Sequence, residues 1–136
     1  MSAFRKVTDE FSVSPQLPPS AMAQAAAEGF KLVINNRPDG EEPGQPTSAE
    51  MEAAARAAGL GYVYAPVVGR PTREQVDAVN AALAEADGPV LAYCRSGTRS
   101  ITAWGIGQAL SGARERGEVV SLAQGAGYDL SGVLGG

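Results

Sequence analysis

Three short apolar runs, "FKLVI" (30–34), "LGYVYAPVV" (60–68) and "PVLAYC" (89–94), are separated by segments of helical spacing and by loops crowded with proline, glycine, asparagine and aspartate. Runs of this length, rich in β-branched and aromatic residues and bounded by turn residues, read as buried strands. Strands alternating with helices predict an α/β domain whose central sheet is mostly parallel and flanked by helices.

The helical segments carry their own start and stop signals. "PPSAMAQAAAEGF" (18–30) sets prolines ahead of an alanine run and a glycine behind it, with Met22, Ala25 and Ala26 on one face. Thr47 or Ser48 is placed to cap a helix carrying Met51, Ala54, Ala55 and Ala58. Thr72 followed by Gln75 has capping-box spacing and opens a helix whose Val76, Val79, Leu83 and Ala86 share a face. Behind the last strand, "RSITAWGIGQALSG" (99–112) repeats Ala103, Ile106 and Leu110 at helical spacing, and a weaker apolar pattern follows through Val119, Leu122 and Ala123. Gly105 and Gly107 inside that helix would each cost about 1 kcal/mol relative to alanine, which close packing of the helix on the sheet would offset. At the start, "FRKVTDEFSVS" (4–14) predicts two short strands around Thr8-Asp9-Glu10, a hairpin at the sheet edge.

A chain of 136 residues, 44% of them apolar, is long enough for one domain with a real core and too short for two, so residues 1–136 read as a single domain. The net charge of −4 speaks against nucleic-acid and anionic-membrane partners, which need a basic face. One cysteine excludes an internal disulfide, and "MSAFRKVTDEF" lacks the apolar stretch of a signal peptide, so the expected compartment is the cytoplasm. With no histidine, the commonest general base and metal ligand are missing. Neither a metal nor a cofactor is expected.

The chemistry concentrates in "AYCRSGTRSITAW" (92–104). Ligands of open parallel sheets bind beyond the carboxyl ends of strands, where loops lead into helix N-termini, and Cys94 falls there. The N–H groups of Arg95 to Ser100, that is Arg95, Ser96, Gly97, Thr98, Arg99 and Ser100, are within reach of curling around one point, with Gly97 free to take a positive φ. Two guanidinium groups, Arg95 and Arg99, and a positive helix end favour a thiolate. A lone cysteine at a strand end is otherwise a small buried hydrophobe, but two arginines and three hydroxyls around an inert thiol would need partners of their own.

"C-R-S-G-T-R-S" resembles the active loop of rhodanese-type sulfurtransferases, in which a cysteine carries a persulfide sulfur within a cradle of N–H groups. It is also similar to the longer signature of cysteine-dependent phosphatases, although four residues rather than five separate Cys94 from Arg99. A cradle one residue smaller suits sulfur better than a tetrahedral phosphate. Outside the loop, "KLVINNRPDGEEPGQPT", "YVYAPVV" and "GYDLSG" resemble the dual-specificity-phosphatase-like domains of the beta-lactamase hydrolase-like family, which occur alone or fused to a persulfide dioxygenase. That resemblance implies a cysteine-phosphatase-like architecture.

Phosphatase chemistry needs an acid for the leaving alkoxide. The resemblance places that aspartate near Gly69, where "APVVGRPTREQ" has none, and it places histidine where Tyr93 stands. Asp39 and Asp77 are the substitutes within sight. Sulfur transfer needs no acid, because the leaving group is already good. The reading is therefore a sulfurtransferase carrying a persulfide on Cys94, with Arg99 as its charge partner and Arg95, pointing outward in the rhodanese-like arrangement, steering an anionic donor such as thiosulfate or glutathione persulfide. The alternatives are a phosphatase acting on phosphoesters and a non-catalytic anion-binding module. Ser100 and Thr98 either hydrogen-bond the thiolate or cap the helix. Arg37 and Asp39 either rim the pocket, as the resemblance implies, or form a local Arg–Asp pair or an Asx-type turn at "RPDG". Tyr62, Tyr64 and Trp104 read as core aromatics and "DGEE" as a solvated loop. The resemblance implies a persulfide dioxygenase as partner.

Overall fold

A computed structural model describes residues 4–134, so the first three residues of "MSAFRKVTDEF" lie outside the described part. Two strands open the chain, β1 (Arg5–Thr8) and β2 (Phe11–Ser14), followed by α1 (Ala21–Ala27) and β3 (Leu32–Asn35). Then come α2 (Ser48–Ala57), β4 (Gly61–Tyr64), α3 (Arg73–Glu85), β5 (Val90–Tyr93), α4 (Thr98–Ser111), α5 (Arg116–Gly125) and α6 (Ser131–Leu134). The sheet order is β1-β2-β5-β3-β4, with β1 antiparallel to β2 and the other pairs parallel. The α/β fold with its mostly parallel sheet is as the alternation predicts, and the hairpin sits at the edge with β1 outermost.

Period-two alternation distributes each strand between two cores. Val33, Leu91, Tyr93 and Tyr62 face α1 and α2, where Met22, Ala25, Met51 and Ala55 are buried. Phe11, Val13, Ile34, Val90 and Ala92 face the layer of α3 to α6, with Val79, Ile101, Trp104, Val119 and Leu134. Trp104 stacks on Phe11 with centroids 5.3 Å apart and planes 9° apart, a pairing worth about 0.5–1.5 kcal/mol beyond its buried area.

Both capping boxes form. Thr47, not Ser48, caps α2 with Glu50, and Thr72 caps α3 with Gln75, each cap contributing about 1 kcal/mol. Ser48 instead shares a 2.8 Å hydrogen bond with the Tyr62 hydroxyl.

Three local expectations are corrected. Leu110 is exposed, because α4 is enclosed mainly from Ser100 to Gly107 and its last turn runs beyond its neighbours. Gly105 and Gly107 serve helix-to-helix rather than helix-to-sheet packing. A Cβ on Gly105 would lie 2.7 Å from Leu130 and 3.1 Å from Val119, and one on Gly107 would strike the Asn80 amide of α3. Tyr64 is a surface residue rather than a core aromatic, its hydroxyl accepting the Asp39 N–H at 3.0 Å.

Candidate active site

The carboxyl ends of β2, β5 and β3 lie side by side, so the segments that leave them share one crevice. The Asn36 N–H donates to the Tyr93 carbonyl at 2.8 Å, and the Gln16 N–H to the Arg95 carbonyl at 3.2 Å. Cys94 follows the last residue of the central strand β5 and is fully buried. Its sulfur accepts the Gly97 N–H at 3.1 Å. Gly97 takes φ +94°, the left-handed conformation expected of it, and stands at the N-cap of α4 without a capping side chain.

Thr98 and Ser100 therefore do not cap this helix. The Thr98 hydroxyl accepts from Ser96 Oγ at 3.0 Å, and Ser96 Oγ accepts the Thr98 N–H at 3.3 Å. Ser100 Oγ is buried without a hydrogen-bond partner, a costly condition for a hydroxyl.

Arg99 turns from α4 toward the "DGEE" loop. Its Nη1 and Nη2 donate to the two Glu41 carboxylate oxygens at 2.7 and 2.8 Å, and Nη1 also donates to the Val67 carbonyl at 2.8 Å. Glu41 contributes most to holding the Arg99 proton above its ordinary pKa, burial opposes it, and the neighbouring Cys94 adds to it. The segment around Gly69, where phosphatases are expected to carry their acid, thus supplies a carbonyl to the arginine instead.

Arg37 is 4% exposed and needs partners for every face of its guanidinium. It finds Glu41 at 2.9 Å through Nε, Gln16 at 3.1 Å through Nη1 and Glu42 at 3.0 Å through Nη2. Arg95 points outward and pairs with Glu42 at 2.9 Å. The acidic stretch is exposed, as the solvated-loop reading expects, but it is also paired: Glu41 and Glu42 bind three arginines between them, and Arg99 with its neighbour Arg37 pulls the Glu41 carboxyl down to about 2, against a desolvation penalty. Asp39 forms no pair with Arg37. Its carboxylate accepts the Ser48 N–H at 2.7 Å and supports the start of α2, so the local Arg–Asp reading fails because Arg37 is bound instead by Glu41, Gln16 and Glu42.

Sequence reasoning missed Glu41, Glu42, Gln16 and Tyr128 at this site. The Tyr128 hydroxyl donates to the Ser96 carbonyl at 2.8 Å, 32 residues away in the chain. The one sequence signal was a pair of opposite charge clusters: two arginines beside Cys94 and two glutamates after "RPDG". Among the described residues no cluster of three or more His, Cys, Asp or Glu has the geometry of a metal site, and no described helix is long and apolar enough to cross a membrane.

A cysteine and an arginine on a strand-loop-helix at the carboxyl edge of such a sheet define a cysteine-phosphatase-like α/β domain, and solved structures agree. A proposed phosphatase of Neisseria meningitidis superposes with a TM-score of 0.86 at 35% identity, over 99% of this chain and 96% of that one. The family profile for the beta-lactamase hydrolase-like protein, phosphatase-like domain, matches residues 3–111, and the chain belongs to that family. The beta-lactamase hydrolase-like protein of Agrobacterium fabrum is 39% identical over 127 residues, and that of Xylella fastidiosa is 37% identical over 125 residues. These stretches cover 92% and 91% of this chain but 29% of each relative, so the chain spans under a third of the curated relatives it matches. On these comparisons alone the phosphatase reading has more support than sulfur transfer, which none of the three descriptions names.

Proposed function

We propose that the protein carries a sulfur atom on Cys94 and passes it between thiol compounds. What carries this reading is how the carboxylates of the site are engaged: Glu41 and Glu42 beside the loop are ion-paired to Arg37, Arg95 and Arg99. Asp39 is engaged at α2, Asp77 pairs with Arg73 on α3, and Asp129 is held below the ordinary carboxylate range by Ser131. Ester hydrolysis needs a proton for its leaving alkoxide, whereas sulfur transfer does not.

In the proposed step the Cys94 thiolate attacks the outer sulfur of thiosulfate. A sulfur–sulfur bond to Cys94 forms, the bond within the donor breaks, and sulfite leaves with the electron pair. With glutathione persulfide the leaving group is the glutathione thiolate. In this reading the loop from Arg95 through Ser96, Gly97, Thr98 and Arg99 to Ser100 is the cradle, in which the Gly97 N–H already donates to Cys94 and the Thr98 N–H would have to leave Ser96 Oγ to join it, and Arg99 balances the anionic charge once Glu41 yields it. Arg95 steers the donor. Arg37 anchors the acidic arm at the rim, and Asp39 holds that arm to α2. A persulfide dioxygenase is the partner that the family resemblance implies.

Phosphoester hydrolysis is the second reading, favoured by the Neisseria meningitidis likeness and the family's description. Intact mass after incubation with thiosulfate or glutathione persulfide, beside Cys94→Ser, separates the two. One added sulfur on the wild type alone, released by cyanide as thiocyanate, supports the sulfur carrier. No added sulfur, with Cys94-dependent hydrolysis of an aryl phosphate, establishes the phosphatase instead.

A further inference from the structure

The segment after α5 returns Tyr128 to the active loop, where its hydroxyl donates to the Ser96 carbonyl at 2.8 Å. The other end of the same peptide unit is the Gly97 N–H, which donates to Cys94 Sγ at 3.1 Å. A trans peptide unit is planar, with its C=O and N–H pointing in opposite directions. Fixing the carbonyl on Tyr128 therefore fixes the N–H on the sulfur, and rotating the plane breaks both bonds together. Gly97 is required twice, for its φ of +94° and because a Cβ there would collide with the Tyr128 hydroxyl. Tyr128 is held in turn by the Arg5 guanidinium, 5.3 Å from its ring centroid.

We propose that Tyr128 is a positioning residue that locks the Ser96–Gly97 peptide plane with its N–H aimed at Cys94, keeping the loop ready for a thiolate. The proposal rests on the reading of Cys94 as a reactive thiolate. A hydrogen bond to an ionised acceptor is stronger than one to a neutral acceptor, so a fixed N–H at this distance favours the charged sulfur.

Tyr128→Phe keeps the ring and its contact with Arg5 and deletes only the hydroxyl. Iodoacetamide alkylation of Cys94 is followed by intact mass across pH, beside melting temperature and the Gly97 amide resonance. The alkylation profile of the variant is expected to move up by about half to one pH unit, slowing the reaction at pH 6 by about threefold to tenfold. A merely structural hydroxyl would lower the melting temperature and leave the profile in place, and an unchanged profile overturns the proposal. Should the variant not fold, the wild type decides: the Gly97 amide must move more than that of Thr98 when Cys94 ionises, and an unresponsive Gly97 amide overturns it. Neither readout uses sulfur loading, so a protein with this profile that gains no sulfur contradicts the proposed function and not the role of Tyr128.

Discussion

Glu41 grips Arg99 through both carboxylate oxygens, at 2.7 and 2.8 Å, and so occupies the face of the guanidinium that an incoming anion would use. Bidentate pairing with a planar guanidinium is how arginine recognises carboxylates and other oxyanions. The carboxylate belongs to the loop after β3, and Arg37 beneath it keeps it in place. An intramolecular anion thus competes with any ligand of the cradle.

Glu41→Gln removes the charge of that competitor while keeping its size. A part-exposed ion pair is worth about 1 kcal/mol, so thiosulfate or inorganic phosphate is expected to bind about fivefold tighter to the variant. Isothermal titration checks this, and equal or weaker binding would show that Glu41 orients Arg99 for the ligand rather than competing with it.

Arg99→Lys keeps the charge and loses the fork. Lysine cannot reproduce two parallel N–H···O bonds while also reaching the Val67 carbonyl. Sulfur loading at low thiosulfate is expected to fall by about 10²-fold, in the range seen when an oriented donor is removed from an anionic reacting centre. A loss below about threefold would take Arg99 out of the reacting site.

What the sequence made legible was local in the chain. Thr47 with Glu50 and Thr72 with Gln75 are three residues apart, and the positive φ of Gly97 follows from a tight loop between a strand and a helix. What it hid was long-range pairing. Glu41 meets Arg99 across 58 residues and Tyr128 meets Ser96 across 32, with no periodicity to announce either contact. Reading "DGEE" as a solvated loop caught its exposure but not the arginine partners that topology brings to Glu41 and Glu42. The Gly105 and Gly107 positions signalled close approach correctly, but not that the approaching surfaces belong to α3, α5 and the segment before α6.

Gly97→Ala and Gly112→Ala both place a side chain at positive φ, +94° and +74°. Each is expected to lose about 1–3 kcal/mol of stability from backbone strain. Only the first also displaces Tyr128, since nothing lies within 4 Å of a Cβ at Gly112. Alkylation of Cys94 should therefore slow in Gly97→Ala and stay at the wild-type rate in Gly112→Ala. Equal rates in the two variants would contradict the coupling of the loop to Tyr128.

Gly107→Ala is expected to destabilise despite the gain in helix propensity of about 1 kcal/mol, because the new methyl strikes the Asn80 amide of α3. In an Asn80→Ala background the obstruction is gone. The same Gly107→Ala change should then become neutral or stabilising in a urea melt, and a loss of equal size in both backgrounds would place the conflict elsewhere.

The Glu41 carboxyl also sets an acid limit on the fold. Its pKa is lowered from the ordinary 4.5 to about 2, chiefly by the hydrogen bond from Arg99. For a group depressed in the folded state, the unfolded chain binds the proton more readily, so stability falls as pH drops. The contribution of Glu41 is present in full above about pH 4.5 and is lost progressively toward pH 2. Urea melts across this window are expected to show a steeper acid decline in the wild type than in Glu41→Gln, with the two curves converging at the acid end. Parallel curves would mean that the Glu41–Arg99 pair adds nothing to stability, and that the arm is held by Arg37, Gln16 and Glu42 alone.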